Sequence, residues 1–147
     1  MNLSENKKAL FDYEILEKME AGLVLAGYET KSVKAGQASL KGSFVTFHGK
    51  DAYVTNMHIS RYKPAGPMPD YEPEKSRRLL LHKKEISYLR GKSQEKGLTI
   101  VPIRVYTKNR FVKIELAIAR GKKHYDKRET LKKRAVEREI KRTLKND

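Results

Sequence analysis

The 147-residue chain contains no cysteine. Disulfide scaffolds, thiolate zinc sites and thiol nucleophiles are therefore excluded. No apolar run approaches the roughly 20 residues that a membrane-spanning helix needs. Met1 to Leu16 is charged throughout and lacks the apolar stretch of a secretory leader. A cytoplasmic protein without a membrane partner is expected. Acidic residues are also scarce: 18 Asp and Glu face 33 Lys and Arg, a formal net charge of +15. Charge so one-sided repels itself, and a polyanion relieves the repulsion. Nucleic acid, acidic lipid and acidic protein all fit at this point. The hydrophobic fraction, 38%, is low for a globular protein but above a disordered composition. The length suits one domain with a short appendage, and a charged segment must dilute a real core.

Catalytic patterns are missing as well. The histidines, His48, His58, His82 and His124, show no i,i+4 pair and no metalloprotease context. Gly91-Lys92-Ser93 resembles the end of a phosphate-binding loop, but Ile86 stands where an earlier glycine is required. The segment before it reads as helix, not strand. No enzyme, cofactor or metal is expected.

What is present reads as short strands. From Tyr13 the chain alternates, with Tyr13, Ile15 and Met19 on one side and Glu14, Lys18 and Glu20 on the other. Ala21-Gly22 is expected to end that strand, and Leu23-Val24-Leu25 to form another. Glu29 to Ala35 suits a short helix capped by Gly36. Ser43 to Phe47 and Ala52 to Met57 flank a tight His48-Gly49-Lys50-Asp51 connection, a hairpin. Four of the five prolines fall between Tyr62 and Pro73, which must be loop. Arg77 to Leu81 is a short apolar run, and Lys83 to Lys96 a helix closed by Gly97. Leu98 to Tyr106 is apolar on both faces, as in a sheet centre. Phe111 to Ile118 alternates, with Val112, Ile114, Leu116 and Ile118 inward and Lys113 and Glu115 outward. Thr107 to Arg110 joins these two strands. Such a sequence of elements predicts a mostly β fold, a small antiparallel barrel or sandwich, of which the OB-like barrel is one nucleic-acid-binding member.

Beyond Ala119 the apolar alternation stops. Residues 120–147 carry 12 Lys and Arg against 5 Asp and Glu. Val136, Ile140 and Leu144 make only a narrow helical stripe. The chain should divide into a barrel, residues 1–120, and a basic tail, residues 121–147, disordered alone and helical against a partner. The paired cations Arg77-Arg78, Lys83-Lys84, Lys122-Lys123, Lys127-Arg128 and Lys132-Lys133-Arg134 favour a polyanion. Tyr13, Tyr28, Tyr106 and Tyr125 offer rings near them. Tyr125 has no core to join and is the best candidate for base stacking.

Several ordered motifs then carry a resemblance: Asn6-Lys7-Lys8-Ala9, Asp12-Tyr13, Glu20-Ala21-Gly22, Gly27 to Gly36, Asn56-Met57-His58-Ile59, Arg78-Leu79-Leu80-Leu81-His82 and Gly121-Lys122-Lys123-His124-Tyr125-Asp126-Lys127-Arg128. In this order the chain resembles the SsrA-binding protein family, bacterial partners of transfer-messenger RNA, from about Asn6 to the C-terminus. The resemblance implies a six-stranded antiparallel OB-like barrel with short flanking helices and a basic C-terminal tail. It implies binding to the tRNA-like domain of transfer-messenger RNA and delivery with elongation factor Tu to stalled ribosomes. It places barrel contacts on Asn6, Lys7, Tyr13, Glu20, Leu80 and Lys113. It places contacts with the small-subunit decoding centre and the empty mRNA channel on Lys122, Lys123, Tyr125, Asp126, Lys127 and Arg128. Glu20 is the odd member, because a carboxylate repels phosphate and must instead accept from a base amino group or a 2′-OH. An OB-type ribosomal protein or general RNA chaperone would share the barrel and the charge without needing Glu20.

Overall fold

The computed structural model describes residues 2–122 and the single helical residue Arg138. The elements in chain order are β1 (Asn2–Glu5), α1 (Lys7–Asp12), β2 (Tyr13–Leu23), α2 (Gly27–Lys34), β3 (Ala38–Ser39), β4 (Phe44–His48), β5 (Asp51–Thr55), β6 (His58–Ile59), β7 (Arg77–Leu80), α3 (Lys83–Ser93), β8 (Leu98–Lys108) and β9 (Phe111–Gly121). One antiparallel sheet has the order β1-β8-β9-β2-β7-β5-β4, and β3 pairs with β6 beside it. β4 folds back toward β8, which gives the sheet its barrel-like closure. The expected mostly β, OB-like architecture is present. The large sheet has seven strands because β1 adds to the edge of β8.

The interior follows the alternation of β9. Val112, Ile114, Leu116 and Ile118 are buried and meet Val33, Val54, Met57, Leu79, Leu89 and Ile100 in the main core. α3 contributes Leu89 and Ile86 and stops at Ser93, three residues short of the expected end. Gly49 heads the two-residue turn between β4 and β5 with φ 60, the positive value that a hairpin turn demands there.

β2 departs most from its expected pattern. It runs through Ala21-Gly22 to Leu23 as one strand, and Val24 and Leu25 lie outside any strand. A bulge between Ile15 and Glu17 shifts its phase. Leu16 is the extra residue and is left exposed. Past the bulge the even residues take over the outward face, so Tyr13 and Ile15 share a face with Lys18 and Glu20, while Met19 turns to the core. β8 is bulged as well, farther along β9 against Leu116 and Glu115, between Pro102 and Arg104, next to a proline whose nitrogen cannot donate to the ladder. On this outward face Ala9 of α1 packs on Val101, Ile103, Ala117 and Ala119, forming a second, small core. The outer face of β9 is therefore apolar at Ala117 and Ala119 and polar at Glu115 and Lys113.

Candidate nucleic-acid interface

The strand register gathers three of the expected contact residues. Leu80 pairs with Gly22, Gly22 with Lys113, and Lys113 with Tyr106. These four form one row across β7, β2, β9 and β8. Two residues along, Glu20 pairs with Glu115 and Glu115 with Arg104. Side chains in a strand alternate between faces, so both rows project outward together. Glu20, Leu80 and Lys113 line a shallow hollow of about 360 Å³ with His82 and Glu85. Leu80 is 53% exposed, high for a leucine inside a β-strand.

Glu20 is held, not loose. Its Oε2 accepts from the Tyr106 hydroxyl, and Lys108 Nζ lies 3.5 Å from its Oε1. The Tyr106 bond, followed by Lys108 and Lys113, outweighs desolvation and keeps the carboxyl below its ordinary range. A carboxylate offers about four lone-pair sites, so acceptor capacity remains toward the hollow. Tyr106 gives up its own stacking surface in return. Its ring is buried, with the Arg104 guanidinium 4.2 Å from the ring centroid. Burial and the Glu20 carboxylate push the phenol well above its usual value. Arg104 is fixed by Glu115 at 3.2 Å and by Asn2 at 2.7 Å. Tyr28 likewise spends its ring on an edge-to-face contact with Tyr71.

The remaining barrel candidates lie elsewhere. Tyr13 sits at the other end of the same face, roughly 20 Å from Glu20 at about 3.3 Å per residue, half-buried against the second core. Asn6 does not present a contact. It is 4% exposed; its amide donates to Leu40 O at 3.2 Å and Pro102 O at 2.9 Å, and its Oδ1 accepts from Ala9 N at 3.1 Å. Both amide protons are thus spent, and the residue caps α1. The residue on which the resemblance placed a barrel contact is thus buried here, and it orients the helix whose first turn carries exposed Lys7 and Lys8. Arg77 is corrected too. It is 3% exposed and bonded to Glu29, so only Arg78 of that basic pair faces solvent. Lys122 is tied to the barrel, with its amide donating to Asp12 O at 2.9 Å and its Nζ to Leu10 O at 3.5 Å. Lys123, Tyr125, Asp126, Lys127 and Arg128 lie outside the described residues.

Two residues of this face escaped the sequence reading. A Cβ on Gly22 would sit 3.0 Å from Leu80 Cβ and 3.3 Å from its Cδ1, so the bare backbone makes room for Leu80. A glycine inside a strand is the available signal for such an approach. Phe111 is 68% exposed. Its phase gave it away, since it alternates with inward Val112 and Ile114 and shares the face of Lys113. Among the described residues no cluster of three or more His, Asp or Glu could hold a metal, and no helix is long and apolar enough to cross a membrane.

Fold and face together define a basic, OB-like RNA-binding barrel. A model of the family described as SmpB protein matches residues 3–146. The SsrA-binding protein of Ligilactobacillus salivarius is 51% identical over 144 residues, covering 98% of this chain and 92% of that protein. The SsrA-binding protein of Oleidesulfovibrio alaskensis is 49% identical over 142 residues, covering 97% and 91%. A chain of the solved structure "tmRNA-SmpB: a journey to the center of the bacterial ribosome" superposes with a TM-score of 0.69 at 42% identity, covering 86% of this chain and 92% of that one. The chain belongs to the SmpB family.

Proposed function

We propose that the chain acts in trans-translation: it binds transfer-messenger RNA and brings it to stalled ribosomes for rescue and peptide tagging. The SmpB relatives, SsrA-binding proteins over nearly the whole length, support this reading. The geometric support is the outer row, where an exposed leucine, a cation and a held carboxylate meet at one hollow. A surface for phosphate alone would have no use for Glu20. A carboxylate kept ionised beside Lys113 selects donors, which bases and 2′-hydroxyls supply and phosphates do not. The barrel, through Glu20, Leu80 and Lys113 with Lys7 and Tyr13 at the far end, takes the tRNA-like domain. The basic residues Lys122, Lys123, Tyr125, Asp126, Lys127 and Arg128 serve the decoding centre and the mRNA channel. Elongation factor Tu accompanies delivery, and the site of action is the cytoplasm.

The test compares transfer-messenger RNA with ordinary tRNA in gel shifts at 150 mM salt, for the wild type and Glu20→Ala. Wild type should prefer transfer-messenger RNA. Glu20→Ala should weaken that binding by ~1–3 kcal/mol although it adds net positive charge. Equal or tighter binding by the variant would overturn the role given to Glu20. Equal affinity of the wild type for both RNAs would overturn the function.

A further inference from the structure

Leu80 and Lys113 line not one hollow but two. On the side away from Glu20 lies a second depression of about 170 Å³, bounded by Gly22, Leu25, Leu80, Arg110, Phe111 and Lys113. Its character differs from that of its neighbour. The first hollow has two carboxylates, Glu20 and Glu85, and a histidine on its rim beside Lys113, whereas the second is lined by no acidic residue and has largely apolar walls, one exposed aromatic ring and two cations.

The β8–β9 hairpin is strained to present this ring. Asn109 and Arg110 form its two-residue turn with φ 51 and 72. Asparagine tolerates that region, but arginine rarely enters it, and glycine is the ordinary occupant. Lys34 Nζ reaches across to Arg110 O at 3.1 Å and steadies the tip. The turn thereby sets a cation immediately before Phe111 and points the ring out beside Lys113. Phe111 belongs to neither core cluster, and its 68% exposure is the largest of any bulky apolar residue among the described ones.

We infer that Phe111 is a stacking platform for an unpaired RNA base, seated in this second hollow next to the nucleotide read by Glu20. The inference rests on the proposed RNA-binding function and extends it to a second, adjacent nucleotide. An apolar wall with a cationic rim suits a base whose phosphate lies alongside, and Lys113 and Arg110 supply that rim. An apolar peptide would not need the two cations. Leu80, shared by both hollows, acts as a wedge that keeps the two bases from stacking on each other. Phe111 accordingly recognises a flat face and is indifferent to base identity, while Glu20 supplies selectivity on the other side.

Binding of full-length transfer-messenger RNA to the full chain, over a series of salt concentrations, tests this with Phe111→Ala and Phe111→Trp. Phe111→Ala should bind ~5–150-fold more weakly, the range of one base–aromatic stack. Its salt slope should be unchanged, because no phosphate contact is lost. Both variants should melt with the wild type, as expected at an exposed site. The chain has no tryptophan of its own, so the introduced indole is a clean reporter. Phe111→Trp should keep wild-type affinity, and its fluorescence should be quenched on RNA binding. Phe111→Ala within twofold of wild type, or an indole unaltered in the bound state, would overturn the inference. A wild type that fails to prefer transfer-messenger RNA over tRNA would instead overturn the proposed function, so the two failures are told apart.

Discussion

Replacing Arg77 with methionine removes a buried guanidinium of nearly the same length as its substitute and leaves its partners in place. In the native fold Nε donates to Glu29 Oε2 at 2.7 Å. Nη1 donates to Met57 O at 2.6 Å and Lys75 O at 3.2 Å, and Nη2 to Pro73 O at 2.9 Å and the Tyr71 hydroxyl at 3.2 Å. This one side chain ties the proline-rich loop before β7 to α2 and to the connection between β5 and β6. Glu29 would keep the Ala26 amide and Lys75 at 3.8 Å. It would lose its nearer and fully buried cation, leaving only the more distant, part-exposed Lys75 among the described residues. Breaking such a pair by removing one member costs about 3–5 kcal/mol, because the other charge stays buried. For a domain of this size that corresponds to a melting temperature lower by roughly 10–25 °C. Thermal and urea unfolding would measure it across a pH series. Burial raises the Glu29 carboxyl, but Ala26, Arg77 and Lys75 outweigh burial and hold it below 4.5 in the wild type. Its contribution is therefore fully present above pH 4.5 and is lost as pH falls through the lower folded value. Without Arg77 the folded carboxyl moves up and protonates first, so the gap between variant and wild type should narrow as the medium becomes acid. Well below its own melting point the variant should bind RNA with an unchanged salt slope, since Arg77 touches no phosphate. A cost under about 1 kcal/mol at neutral pH, or a gap that ignores pH, would refute the reasoning. A lower salt slope would return Arg77 to the polyanion-binding surface.

Two further outcomes are expected. Gly22→Ala should part β2 from β7 at their short two-pair ladder, costing about 1–3 kcal/mol by overpacking, and should displace Leu80; faster exchange of the Leu79 and Leu80 amides, with weaker RNA binding than Leu80→Ala alone gives, would support this, and wild-type affinity would contradict it. A chain ending after Lys122 keeps all of β9 and the Lys122 bonds to α1; it should bind transfer-messenger RNA nearly normally yet fail to support peptide tagging in a reconstituted system, and normal tagging would refute the division of labour between barrel and tail.

Legibility in the sequence tracked the local character of each signal. β9 was readable because Val112, Ile114, Leu116 and Ile118 repeat at period two against one core. The helix near Glu29 was readable from Gly36, whose positive φ ends it. β1 and α1 were not, because a four-residue strand and a six-residue helix carry too little periodicity. They exist through the tertiary bonds of Asn6 to Leu40 and Pro102, which no local pattern announces. Arg77 and Arg78 look alike in the chain, yet alternation buries the first against Glu29 and exposes the second beside Asp51. Only the remote partner Glu29 distinguishes them. Among the RNA contacts, Glu20, Leu80 and Lys113 became intelligible as a set once the register was known, since they come from three strands.

The bulge in β2 explains why that set could not be assembled from period-two counting. Counted straight, Tyr13 and Ile15 fall opposite Lys18 and Glu20, and Glu20 shares a side with Glu14. The extra residue at Leu16 inverts the phase, so Tyr13 and Glu20 end up on one face. The matching irregularity in β8 carries Arg104 and Tyr106 onto that face as well. Each shift has a local cost in lost ladder bonds, and each lies where α1 crosses the sheet. The apolar residues before the shifts seat that helix, and the polar residues after them clasp Glu20. One face can therefore be core at one end and recognition surface at the other. Pairing every residue of β2 with Leu16 kept in the ladder would turn Glu20 inward toward Leu79 and Ile114, whereas deleting Leu16 would remove the bulge and leave Glu20 outward opposite Glu115, so it is the unpaired extra residue that brings Tyr13 and Glu20 onto one face.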